Sequence, residues 1–138
     1  MNSGRLITRQ TLGNGLTLEL WDHSRPVAGD RWYVLLETRI VVPVRPDTLP
    51  SELKPHAAQV AAALGEEIIF SQKDERNFIA PSEAPELLQE MRARVLALGP
   101  AYFGHDDFAA RFIRRKYAEH MQRRQAQPGA ATSGGNGS

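Results

Sequence analysis

RWYVLLETRIVVPV, residues 31–44, is the longest strand-like run in the chain. Its alternate positions Trp32, Val34, Leu36, Thr38, Ile40, Val42 and Val44 share one face and are almost all apolar. The other face, Arg31, Tyr33, Leu35, Glu37, Arg39 and Val41, mixes charge with apolar bulk. Such a strand buries one side and needs a second layer to cover it. Pro43 has no N–H to give a ladder, which puts it at a strand end, an edge or a bulge.

Upstream, RLITRQTL (5–12) and LTLELW (16–21) flank Gly13-Asn14-Gly15. In the second run Leu16, Leu18 and Leu20 alternate with Thr17, Glu19 and Trp21, a half-buried strand. Asn-Gly tolerates positive φ, so a hairpin with a two-residue type I′ turn is predicted. Downstream, RPDTLPSELKP leads into the alanine-rich helix HAAQVAAAL, with Ser51 as N-cap and Gly65 as its stop. EEIIFSQ and RNFIA around the polar KDE turn read as a second hairpin. A second helix opens at Ser82, buries Leu87, Leu88, Met91, Val95 and Leu98, and stops at Gly99-Pro100. A third starts near Asp106, its N-cap, and runs to about Gln125, with Ala109, Phe112, Ile113, Tyr117 and Met121 facing the core.

Hairpins first and helices late predict an α+β fold: an antiparallel sheet of about five strands (two hairpins plus the long strand) packed with three helices. Residues 1–125 read as one α+β domain, and residues 126–138, rich in Gly and Ser, as a disordered tail.

The whole chain has 138 residues, no cysteine and a formal net charge of +1. Without cysteine there is no disulfide, thiol nucleophile or Cys-ligated metal. The polar N-terminus carries no apolar signal segment, and no apolar run approaches the length of a membrane helix. These features predict a cytoplasmic protein without a membrane partner. Near-neutral charge leaves attraction to anions to local clusters.

The most chemistry-laden stretch is WDHSRPVAGDRW, residues 21–32. Asp22, His23 and Ser24 are the residue types of a hydrolase, but neighbours in an extended chain point in alternating directions and cannot relay a proton among themselves. There is no G-x-S-x-G elbow, P-loop or H-x-x-x-H spacing, and Glu66-Glu67 and Asp74-Glu75 are adjacent rather than facing pairs. The prediction is a non-enzymatic domain with no metal and no cofactor, in which Asp22 and Ser24 shape a loop between two tryptophans.

Arg5 and Arg9, four apart on one strand, are predicted to share a face, where two guanidiniums suit a phosphate or cross-strand acids such as Glu19. The run R-L-I-T-R, Arg5–Arg9, followed by D-H-S, Asp22–Ser24, resembles part of the PilZ domain signature, R-x-x-x-R and then D/N-x-S-x-x-G. Val27 stands where that signature has glycine, and Gly29 follows two residues later. The resemblance implies a β-barrel sensor of an anionic nucleotide, cyclic di-GMP, with Arg5, Arg9, Asp22 and Ser24, joined by Arg25, as the ligand-binding set. In the last helix Arg111, Arg114 and Arg115 form a cationic patch at i, i+3, i+4 spacing. The leading expectation is a binding domain that recognises a protein partner through that basic face and the loop beside Trp21. The anionic-nucleotide sensor is the alternative, and nucleic-acid binding by the basic helix a further one.

Overall fold

The computed structural model describes residues 4–126. Five strands form one antiparallel sheet, and three helices complete an α+β fold. The strands are β1 (Arg5–Thr11), β2 (Thr17–Asp22), β3 (Arg25–Val27), β4 (Arg31–Pro43) and β5 (Glu67–Ile79). The helices are α1 (Ala57–Leu64), α2 (Ala84–Phe103) and α3 (Phe108–Ala126). The predicted tail lies outside the described residues, apart from Ala126, which closes α3. The described residues form two compact units, 4–42 with 69–108 and 43–68 with 109–126.

In the first unit β4 is the central strand. Its predicted apolar face is the buried one, with Val34, Leu36, Ile40 and Val42 at 0–1% exposure, opposite Leu18 and Leu20 of β2. The stretch 22–31 is not a loop. Asp22 pairs with Leu36, His23 N–H donates to Leu35 C=O at 2.9 Å, and Arg25 pairs with Tyr33, all in one register. β2 and β3 are thus one interrupted strand that turns through Ala28–Asp30, where Gly29 (φ 73°) and Asp30 (φ 57°) take left-handed conformations.

The β1–β2 hairpin forms with a different turn from the one predicted. Gly15 N–H donates to Leu12 C=O at 3.0 Å, and of Asn14 and Gly15 only Gly15 has positive φ, at 90°. This is a three-residue loop in which the glycine supplies the left-handed position. It leaves the Asn14 side chain free for another task. Its Nδ2 donates to the carbonyls of Phe103 (2.9 Å) and His105 (3.1 Å), satisfying the end of α2.

Three other local predictions are corrected. The KDE turn does not form: Glu67–Ile79 is one 13-residue strand, because β4 offers an equally long edge to pair along. Ser51 caps nothing. Residues 51–56 are a 3-10 turn after Pro50, and the α-helix begins only at Ala57 because Pro55 has no N–H to close an earlier turn. Helix α2 starts after Glu83 rather than Ser82 and runs through Gly99-Pro100 to Gly104. Pro100 gives up one helical bond, but the turn beyond it is held by Asn14 and by packing of Phe103 against Phe70 (5.2 Å) and Phe108 (5.4 Å). Leu98, predicted to be core, is 71% exposed, because the buried face of α2 runs through Leu88, Met91, Gly99 and Phe103 instead.

Between Leu6 and Thr8 the β1–β2 register slips by one residue, a bulge at Ile7. The slip turns Thr8 toward the buried face opposite Leu20, where its hydroxyl has no hydrogen-bond partner among the described residues. An unpaired buried hydroxyl costs on the order of 1–3 kcal/mol. Thr8→Val keeps the shape and removes that cost. Chemical denaturation of the variant should show a gain of about 1 kcal/mol; a loss would mean the hydroxyl is satisfied in solution.

In the second unit Val60 of α1 and Phe112 and Ile113 of α3 are buried with Val44 and Leu49. Gly65 (φ 91°) ends α1 as predicted, its N–H donating to Ala61 C=O at 2.8 Å. Ala109, Phe112 and Ile113 are the buried part of the predicted α3 face; Tyr117 is half-buried and Met121 is 37% exposed.

Candidate functional site

Two places in the first unit gather chemically distinctive side chains. The first is on the sheet face opposite the core. Glu37 is 4% exposed although it projects from the open face. Its Oε1 accepts from His23 Nε2 (2.7 Å) and Arg39 Nη2 (2.9 Å). Its Oε2 accepts from Ser71 Oγ (2.6 Å) and Arg39 Nε (3.3 Å). Arg39 also lies over the Trp21 ring at 4.6 Å, and the Trp21 Nε1–H donates to Glu19 at 2.9 Å. Burial pushes the Glu37 carboxyl up, but hydrogen bonds from Ser71, Arg39 and His23 outweigh it and hold it at about 2. Gly4 lies against the His23 ring so closely that a Cβ there would fall 2.3 Å from it.

Serine, histidine and a carboxylate do meet here, but in the wrong order for nucleophilic catalysis. Both Ser71 and His23 bond to Glu37, and among the described residues no hydrogen bond joins serine to histidine. A nucleophile needs its base beside it. A carboxylate with four donors and a pKa near 2 has no basicity to offer at neutral pH. The arrangement is a polar rivet joining β4 and β5 to the link between β2 and β3.

The residues of the predicted nucleotide set do not converge. The bulge at Ile7 breaks the parity of β1, so Arg5, opposite Asp22, and Arg9, opposite Glu19, project from opposite faces. Each meets an acid: Arg5 with Asp22 at 3.1 Å and Arg9 with Glu19 at 2.9 Å, the latter being the predicted cross-strand pair. Asp22 also accepts from Ser24 N–H (2.9 Å), while Ser24 Oγ accepts from Leu35 N–H (3.0 Å), so both accept backbone N–H groups as predicted, but along an interrupted strand and not in a loop. Arg25 lies over the Tyr33 ring at 5.0 Å. In the second unit Arg114 holds Glu52 through two bonds (2.6 and 3.2 Å) and Arg115 lies over Phe112 at 5.3 Å. Arg111 is exposed and has no acidic partner among the described residues.

The second place was not legible in the sequence. A groove of about 570 Å³ runs between α2 and β5, with Leu36 and Thr38 of β4 at its base. Arg94, Val95, Leu98, Gly99, Tyr102 and Phe103 form the helix wall, and Gln72, Lys73 and Asp74 the strand wall. Leu98 and Tyr102 are 71% and 59% exposed. None of Arg5, Arg9, Asp22, Ser24 or Arg25 lines it. The clue missed was Gly99: in a helix that continues, a residue without a side chain lets the Phe103 ring come within 3.3 Å of where a Cβ would stand. That leaves Leu98 and Tyr102 as the outward members of the last turns.

No helix among the described residues is long and apolar enough to cross a membrane, and none of their His, Asp and Glu side chains cluster in a way that could hold a metal ion. Comparison with known proteins found no matching family model, no matching curated protein and no matching solved structure.

Proposed function

We propose that this chain is a non-enzymatic binding domain that recognises a protein partner, and that the groove between α2 and β5 is its recognition surface. One observation carries the reading. Leu98 and Tyr102 stand exposed on the wall of a 570 Å³ groove, in a chain whose other large side chains on α2 are mostly buried or half-buried. Apolar and aromatic side chains lining a concavity are the chemistry of a binding site. The groove is bordered on its strand side by exposed Gln72 and Lys73, which suits a chain segment better than an enclosed small molecule.

The basic face of α3 and Trp21 support the reading less. Arg114, Arg115 and Trp21 are already engaged within the chain, which leaves Arg111 as the uncommitted member of the set. The anionic-nucleotide reading is weakened by the opposite facing of Arg5 and Arg9 and by their ion pairs. The non-enzymatic reading is supported by the saturation of Glu37, a carboxylate in contact with both a histidine and a serine.

Selection from a displayed library of random peptides tests the proposal. Enriched peptides should lose at least about tenfold in affinity, some 1.4 kcal/mol, against Leu98→Asp. The melting temperature of this variant should stay near wild type, because an exposed side chain contributes little to folding. Failure to enrich any peptide, or equal binding to the variant, would refute the assignment.

A further inference from the structure

The groove has a strand as one wall, and that strand has an edge to spare. β5 pairs with β4 on one side, and among the described residues no strand pairs with its other side. An unpaired edge of 13 residues presents a row of backbone donors and acceptors. A segment hydrogen-bonded along such an edge directs alternate side chains to opposite faces of the sheet. Those on the helix side would enter the space between Leu98, Tyr102 and β5.

The charges at this place are unequal. Asp74 is taken by Arg76, whose Nη1 lies 2.6 Å from it. Lys73 and Arg94 line the same groove, are exposed, and have no acidic partner among the described residues. The groove therefore offers apolar wall plus two uncommitted cations.

From these observations we infer that the partner contributes an extended acidic segment, with apolar residues at alternate positions, that adds to β5 as a further strand. The inference rests on the groove being the recognition surface and adds the binding mode and the chemistry of the partner. The backbone supplies affinity, the pocket beside Leu98 and Tyr102 takes the apolar side chains, and Lys73 and Arg94 meet the carboxylates.

The test uses the full chain and three synthetic peptides: one alternating glutamate and leucine, the same peptide with lysine for glutamate, and the acidic peptide N-methylated at alternate residues. Titration should show binding of the acidic peptide only, and amide exchange along β5 should slow when it is bound. Lys73→Glu combined with Arg94→Glu should weaken it by about tenfold or more. Several results would overturn the inference. If the acidic peptide fails to bind while library selection still yields groove binders, the acidic chemistry is wrong and the groove reading survives. If the N-methylated peptide binds as well as its parent, strand addition is wrong. If the free chain dimerises with the same β5 amides protected, the edge belongs to a second copy.

Discussion

Glu37→Gln is expected to lower the free energy of unfolding by about 3 kcal/mol, because it leaves the donors of Arg39 and His23 facing an amide in a site built for a charge. The figure agrees with the carboxyl's own displacement. A fall from 4.5 to about 2 corresponds to about 3 kcal/mol of preference for the ionised form in the folded chain. The sign of the pH dependence follows. The unfolded chain takes up this proton first as pH falls, so the contribution is complete above about pH 5 and drains away as pH drops toward 2. Denaturant titrations of both proteins across that window check it: the wild-type curve should be steeper than the variant's, and parallel curves would show that Glu37 is not held ionised. Glu37→Gln should leave peptide binding at the α2–β5 groove intact, since none of Glu37, His23 and Arg39 lines it.

Phe103→Ala is expected to cost about 4 kcal/mol and to lower the melting temperature by on the order of 10 °C. The ring is 6% exposed and contacts three others, with centroids 5.2 Å from Phe70, 5.4 Å from Phe108 and 5.0 Å from Tyr102. Its loss would leave a cavity at the point where α2 meets the sheet and the start of α3. The last turn of α2 already lacks the bond that Pro100 cannot make, so it should fray once the ring is gone. Hydrogen exchange at residues 101–104 should rise more than at Met91, near the middle of the same helix. A loss below about 1 kcal/mol would mean that the aromatic cluster does not hold this end of α2.

Features set by local periodicity were legible in the sequence, and features set by distant neighbours were not. The alternation of β4 is a period-two signal, and its buried face came out from Val34 to Val42, with Trp32 only half-buried and Val44 just past the strand. The Asn-Gly pair marked the first hairpin, and Gly65 the end of α1. The bulge at Ile7 left no glycine or proline to announce it, yet it sends Arg5 and Arg9 to opposite faces. Lys73-Asp74-Glu75 looked like a turn because charge on an edge strand and charge in a turn have the same composition. Gly99-Pro100 looked like a helix stop because the forces that carry α2 past it come from Asn14, 89 residues before its partner Phe103, and from Phe70 on β5.

The candidate site was less legible than the fold, for the same reason. Asp22, His23 and Ser24 drew attention as neighbours, but His23 finds its partner in Glu37, and Ser71, the serine on that carboxylate, lies 34 residues further along. Glu37 is compensated in its burial by four donor contacts from His23, Arg39 and Ser71, and His23 and Ser71 lie far from it in the sequence. Leu98 is exposed because α2 turns Leu88, Met91, Gly99 and Phe103 inward, which leaves it off the buried face. Neither is encoded in a window of sequence.

Backbone amide chemical-shift mapping with a library-selected peptide locates the recognition surface. Perturbations should concentrate on Gln72–Asp74 of β5 and on Arg94–Phe103 of α2. Perturbations centred on Arg111–Arg115 of α3, or on Arg5, Arg9 and Asp22–Arg25, with the groove unmoved, would contradict this location.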